Sequence, residues 1–189
     1  MWLFGEIIDS VPGNKGVPIG NYTSQYFANF YLTYFDHWLK EEMEVEYVVR
    51  YMDDVVILHK DKNYLHWLNA QIANYLQSKL KLELKDNYQV FPSRVRGIDF
   101  VGYRHFGDYI LLRKSTAKRL KKKMRNILAK VESGQQMSYS DWCNINSYKG
   151  WLMWCDGYNL TQKYIAPLKS YADDFYREVV LKCELEEQC

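Results

Sequence analysis

Much that would classify a chain at a glance is scarce here. The four cysteines, Cys143, Cys155, Cys183 and Cys189, show no C-x-x-C spacing, which argues against a zinc cluster. No low-complexity linker and no internal repeat divides the chain. No apolar run approaches the length that spans a bilayer, and "MWLFGEIIDS" (1–10) lacks the basic start of a signal peptide. Reduced thiols, a cytoplasmic location and no membrane partner are therefore expected. A charge excess of one sign is missing too: 25 Lys+Arg against 23 Asp+Glu leave +2, which by itself points to no partner.

What is present is apolar and aromatic. The chain is 48% hydrophobic and 16% aromatic, so it can bury a core and is not disordered by composition. Its 189 residues suffice for one sizeable domain or two small ones. The charges are balanced in total but not in position. Residues 113–125, "RKSTAKRLKKKMR", hold eight basic residues and no acid, whereas the end, "CELEEQC", is acidic.

Along the chain, residues 2–8 read as the end of a helix, and "VPGNKGVPIGNYTS" (11–24) as a Gly/Pro/Asn-rich loop. Phe27, Phe30, Tyr31, Tyr34, Phe35, Trp38 and Leu39 then recur with helical spacing and predict an amphipathic helix, with Asn21, Thr23 or Ser24 available as its cap. A second helix carries Leu65, Leu68, Ile72, Tyr75 and Leu76 on one face. "LKLELK" (80–85) alternates leucine with charge, the pattern of a half-buried strand, and 97–114 reads as a hairpin turning at Gly107-Asp108. A basic helix starts at Ser115, with Leu120, Met124, Ile127, Leu128 and Val131 as its apolar stripe and Gly134 as its stop. Aromatic helices fill 138–160 and 161–180. The fold class is mixed α/β up to residue 112 and all-helical after it.

The most informative stretch is "YVVRYMDDVVILH" (47–59), two apolar β-branched runs around Asp53 and Asp54. Two strands separated by Asp-Asp read as a tight β-hairpin, because Asp tolerates turn conformations that β-branched residues resist. Two carboxylates about 4 Å apart repel by roughly 4 kcal/mol at an effective dielectric near 20. A wet tip tolerates that, and so does a bound divalent cation. Hard oxygen ligands suit Mg²⁺, commonly held by one or two carboxylates together with substrate phosphates. Taken alone, Asp-Asp between strands is most simply an acidic turn.

It does not stand alone. "YMDD" on a hairpin resembles the metal-binding motif of reverse transcriptases, and further motifs of that family follow in order. "GVPIGNYTSQYFANFYLTYFD" (16–36) resembles the glycine turn and helix beside template and incoming nucleotide, and 62–85 the next palm segment. "GIDFVGYRHF" (97–106) resembles the primer-grip hairpin, and the basic helix stands where the thumb begins. The resemblance covers residues 1 to about 160. It implies a partial polymerase palm, α+β, over 1–112 with a YMDD hairpin and a primer-grip hairpin, a small all-α thumb over 113–175, and an acidic C-terminal tail over 176–189. Family members of the group II intron and retroviral kinds usually carry Gln before the turn glycine. Here the position is Ile19, and Ile19-Gly20 with Ser24-Gln25 is most similar to the enzymes of diversity-generating retroelements, which copy a template RNA with frequent errors and rewrite a variable gene by mutagenic retrohoming. An alkyl group in place of an amide removes hydrogen bonds that would hold template and nucleotide in register. Retron or intron-type enzymes are the nearest alternative, and a non-catalytic nucleic-acid-binding remnant the alternative from another class.

The resemblance implies an RNA-directed DNA polymerase using two Mg²⁺ ions, or Mn²⁺ in their place, for nucleotidyl transfer, with template RNA, primer or cDNA, and dNTPs as partners. A small basic accessory protein is a further implied partner. Asp53 is the implied metal ligand and Asp54 a second one. Ile19, Gly20, Asn21, Ser24 and Gln25 would lie against template and nucleotide. Tyr51 and Met52 would lie near the primer end, or serve as simple strand packing. Phe100, Gly102 and Tyr103 would flank the priming strand, with Tyr103 equally suited to a core. Lys118, Lys121, Lys122 and Arg125 would contact phosphates, and six such contacts would give a salt slope of about −5 on a duplex. Lys85 reads as a solvated strand residue, since the family's nearby lysine falls where Asn87 stands. The further carboxylate that two-metal chemistry needs lies, in the family, on a strand upstream of "GVPIG", and Asp9 is in the wrong place for it. The expectation is a C-terminal portion of a longer enzyme, with an open sheet edge, an exposed part of the helix at 24–40, a tendency to dimerise and little activity alone.

Overall fold

The computed structural model describes residues 22–180 and, ahead of them, Gly5, Glu6 and Asp9. The protein is mixed α/β with two small antiparallel sheets, one of two strands and one of three. It divides into two compact units, Met1–Val90 and Phe91–Cys189. The change of character after residue 112 is a boundary of another kind: it marks where strands give way to helices. Among the described residues no helix is long and apolar enough to cross a membrane.

In the first unit, α1 (Tyr22–Tyr31) and α2 (Thr33–His37) follow each other, and α2 runs on through a π-type turn at Trp38–Glu42. At the break Thr33 Oγ1 donates to the carbonyl of Asn29, one turn back, a bond that competes with the backbone ladder. Of the amphipathic stripe, Phe35 and Leu39 are buried, whereas Phe30 and Tyr34 are exposed. The hairpin of β1 (Tyr47–Tyr51) and β2 (Asp54–Leu58) follows, then α3 (Lys62–Tyr75), capped by the Asp61 carboxylate on Asn63 N at 2.8 Å. The core of this unit is Phe35, Leu39, Val45, Leu68, Ile72, Leu76 and Leu80, with Val48 and Ile57 of the hairpin packed against it. Tyr75 stacks on Trp38 at 4.3 Å between ring centroids.

The strand expected at 80–85 does not form. Leu80 finishes a π-type turn (Leu76–Leu80), Lys81 takes a left-handed φ of 54°, and Leu82 N donates back to Leu76 O. Residues 81–85 then run on without a ladder partner. The alternation of leucine and charge specifies a strand only where a neighbouring strand and a surface to cover exist, and Leu82 and Leu84 have neither.

In the second unit a short turn of helix, α4 (Ser93–Arg96), leads into a meander of β3 (Ile98–Phe100), β4 (Tyr103–His105) and β5 (Ile110–Leu112). The expected single hairpin at Gly107-Asp108 is thus half of the arrangement. A second reversal at Val101-Gly102 pairs Phe100 with Tyr103. Both turn residues have positive φ, 47° and 85°, the pairing that a tight hairpin with native strand twist requires. The long basic helix α5 (Lys114–Glu132) buries Thr116, Leu120, Met124, Ile127 and Val131, one stripe at helical spacing. It stops as expected, with Gly134 at φ 82° donating its N–H to Val131 O. Helix α6 (Tyr139–Leu152) opens on a reciprocal capping box between Ser138 and Asp141, and Lys130 of α5 reaches the same carboxylate at 2.6 Å. Burial works to raise the Asp141 pKa, but the hydrogen bonds from Lys130 and Ser138 outweigh it and hold the group below the usual carboxylate range. A short turn, α7 (Tyr158–Leu160), runs through Thr161–Leu168 into α8 (Lys169–Phe175), which brings Tyr164, Ile165, Leu168 and Ala172 into the core with Leu112 and the α5 stripe. Tyr176–Val180 continues as a π-type turn, with Tyr176 stacked on Trp142, and the rest of the acidic end lies outside the described residues.

Candidate functional site

The hairpin pairs Tyr47 with Leu58 through to Tyr51 with Asp54. This register moves the turn by one residue from the expected Asp-Asp. Met52 and Asp53 form it, and Asp54 opens β2. Met52 adopts φ 55°, a left-handed conformation that costs a non-glycine residue about 1–2 kcal/mol. Such strain persists only where surrounding groups enforce it.

One enforcing group is Arg50, which sequence reasoning passed over. Period two places Arg50 on the same face of β1 as core-packed Val48, and its side chain is only 13% exposed. Its guanidinium donates bidentately to Asp36, Nε to Oδ1 at 2.7 Å and Nη2 to Oδ2 at 2.6 Å. Nη1 donates to the carbonyl of Met52 at 2.8 Å and to Asn29 Oδ1 at 3.1 Å. The Asp36 hydrogen bonds raise the Arg50 pKa further, against the opposing effect of burial. The available signal was an arginine inside an apolar strand run, since a charge turned inward needs a partner.

The two carboxylates are exposed at the tip. Lys85 Nζ donates to Asp53 Oδ2 at 3.1 Å, both side chains being about three-quarters exposed at 73% and 75%. This lysine is solvated as expected, but it stands on an irregular segment rather than a strand, and it pairs with the acid of interest. Its hydrogen bond, then the backbone N–H at the turn, hold the Asp53 carboxyl below its usual range. The tip fits a hard divalent cation in its chemistry: oxygen donors, open to solvent, one already facing a cationic group. An exposed ion pair of this kind contributes about 0–1 kcal/mol, so it yields readily to a stronger cation. Among the described residues no group of three or more His, Cys, Asp or Glu converges. Two carboxylates would therefore leave most coordination positions to water or phosphate oxygens, the usual habit of Mg²⁺.

The other sequence-based candidates have varied surroundings. Ile19, Gly20 and Asn21 lie outside the described residues. Ser24 is buried, and its hydroxyl finds no hydrogen-bond partner among the described residues, whereas Gln25 is exposed. Tyr51 is 58% exposed, more than simple strand packing provides, and Met52 is half-buried. In the second unit Phe100 is half-buried, and Gly102 lies so close under the Trp151 ring that a Cβ there would approach Cζ3 to 2.5 Å. The Tyr103 hydroxyl donates to Trp151 O at 3.1 Å, and its ring packs on the core. On α5, Lys118 and Lys122 are exposed and Lys121 half-buried, while Arg125 donates to the Tyr164 hydroxyl at 3.1 Å and lies over that ring. No protein-family model matches the chain, and no curated protein matches it.

Proposed function

We propose that the chain is palm and thumb of a reverse transcriptase, most similar to those of diversity-generating retroelements, and that Asp53 and Asp54 hold the catalytic metal. The observation that carries this reading is the hairpin tip: a two-residue turn, strained at Met52, that presents Asp53 and Asp54 to solvent. An acidic turn with no task has no need of a left-handed methionine, because Asn-Gly or Asp-Gly would form it without strain.

In this reading Asp53 and Asp54 supply oxygen donors at the end of the growing strand. Magnesium, when bound, favours ionisation of a primer 3′-hydroxyl and neutralises the charge of the triphosphate. The exposed Tyr51 and the half-buried Met52 pad the primer terminus. Gly20 lets the backbone approach the nucleic acid, and Ile19 leaves the template–nucleotide pair without an amide contact, which fits error-prone copying. Phe100, Gly102 and Tyr103 form a rigid turn suited to a priming strand, Gly102 and Tyr103 being fixed against Trp151. Lys118, Lys121 and Lys122 offer charges to phosphates, and Arg125 joins them from its seat on Tyr164.

The test is extension of a primer on an RNA template by protein made from the full reading frame. Mg²⁺-dependent synthesis that Asp53→Asn abolishes supports the proposal. Salt-sensitive binding of primer–template with no synthesis at all would favour a binding remnant instead. Replacing both Lys118 and Lys122 by Ala should lower the salt slope by about 1–2 if they touch phosphates.

A further inference from the structure

Arg50 is an unusual tenant of a strand that otherwise reads Tyr-Val-Val-Tyr. It makes four hydrogen bonds, two to Asp36, one to Asn29 and one to the carbonyl of Met52. Asn29 belongs to α1 and Asp36 to α2, so one guanidinium ties these two helices to the turn that carries Asp53. The bond to Met52 O acts on the peptide that joins Met52 to Asp53. Holding that carbonyl fixes the plane of the peptide, and with it the direction in which Asp53 leaves the turn.

We propose that Arg50 is a positioning residue for the metal-binding carboxylates: it braces the Met52–Asp53 peptide against Asp36 and Asn29, so that the left-handed turn is already formed before a cation arrives. The inference rests on the reading of Asp53 as a metal ligand. A planar fork is needed for the task, because a lysine ammonium is a point charge and cannot keep both Asp36 oxygens and the Met52 carbonyl in one geometry. Preorganisation of this sort appears as cation affinity, since a ligand pair that must first adopt a strained backbone binds more weakly by the weight of that strain.

The full chain tests this with Mn²⁺, free ion being counted by electron paramagnetic resonance, and with the ¹³C-methyl signal of Met52 as a metal-free reporter of the turn. Arg50→Gln should weaken Mn²⁺ binding about tenfold, the weight of one left-handed residue, and shift the Met52 methyl signal before any metal is added. Arg50→Lys should fall between the two. Asp36→Asn keeps the shape of its side chain and should weaken binding about threefold, which covers the case in which Arg50→Gln does not fold.

The decisive variant adds a glycine. Glycine adopts positive φ without strain, so Met52→Gly placed on Arg50→Gln should return Mn²⁺ affinity from about tenfold weaker to within about threefold of the parent, and placed on Asp36→Asn should return it to the parent value. A merely structural arginine predicts loss of thermal stability and no rescue by glycine. Asp53→Asn separates the two ideas at stake. If Asp53→Asn abolishes binding while the Arg50 and Asp36 variants bind like the parent, or if glycine fails to rescue them, the positioning role is wrong and the metal site stands. If Asp53→Asn binds Mn²⁺ as the parent does, the metal site itself is wrong.

Discussion

The two compact units solve the burial problem differently. Among the described residues the second unit closes one core of eleven buried side chains around α5, with Leu120 and Leu168 wholly enclosed. The first has seven, drawn from α2, α3, the π-type turns that extend them, and Val45, and its hairpin adds only the edges of Val48 and Ile57. Their exposed apolar residues differ in kind as well. In the second unit the most exposed ones are Val95 on α4 and, just beyond the end of α6, Met153, Trp154 and Tyr158. In the first they are periodic: Tyr22, Tyr26, Phe30 and Tyr34 at every fourth position, and Tyr47, Val49 and Tyr51 at every second. Single exposed aromatics are ordinary on a protein surface, whereas exposure with the period of the element that carries it makes a contiguous apolar face. The difference teaches that the second unit encloses its apolar side chains in one larger core, whereas the first leaves its hairpin tip and periodic apolar positions exposed.

Leucine truncations sharpen that contrast most. Leu120→Ala and Leu68→Ala both empty fully buried sites and should each cost about 2–5 kcal/mol, with Leu120 the costlier because its larger core has less room to collapse. Urea denaturation measures both, and an equal or reversed order would break the contrast.

Gly102→Ala comes next. It forces a Cβ into the Trp151 ring at a residue with φ 85° and should cost about 1–3 kcal/mol. The Trp151 fluorescence and the thermal midpoint should move together.

Asp141 gives a smaller, pH-dependent effect. Its pKa is lower folded than unfolded, so the stability it contributes is present above the unfolded value, near 4, and is lost as pH falls through the folded one. Asp141→Asn should cost about 1 kcal/mol at neutral pH and nothing in strong acid, seen as convergence of the two urea midpoints below about pH 4. The smallest effect belongs to Lys85→Gln, which should leave the denaturation midpoint unmoved and tighten Mn²⁺ binding about two- to fivefold by removing a competing cation.

What was legible in the sequence was local. Apolar residues three and four apart gave the helical character of 27–39, 65–76 and 120–131, though not the break between α1 and α2 or the start of α1 at Tyr22, inside the expected 11–24 loop, and β-branched runs around a polar pair gave the first hairpin. Features decided by distant partners were not legible. The strand expected at 80–85 fails because alternation says which side of a strand is apolar and not whether a neighbour exists. The Val101-Gly102 reversal was hidden inside an apolar run, and only the Trp151 ring above it, some fifty positions on, shows why glycine is there. At the site, Asp53 and Asp54 were evident as a pair, but the turn is Met52-Asp53, with the Met52 carbonyl accepting a hydrogen bond from Arg50. Arg50 with Asp36 and Lys85 with Asp53 are separated by 14 and 32 positions, and no periodicity connects them.

Crystals of the full chain soaked in Mn²⁺ provide the most direct measurement, read as anomalous difference density at the hairpin tip. A peak bonded to the Asp53 and Asp54 carboxylates, with Lys85 swung aside and Met52 still left-handed, is the result expected. Flat density there at saturating Mn²⁺, with Lys85 still seated on Asp53, would contradict it.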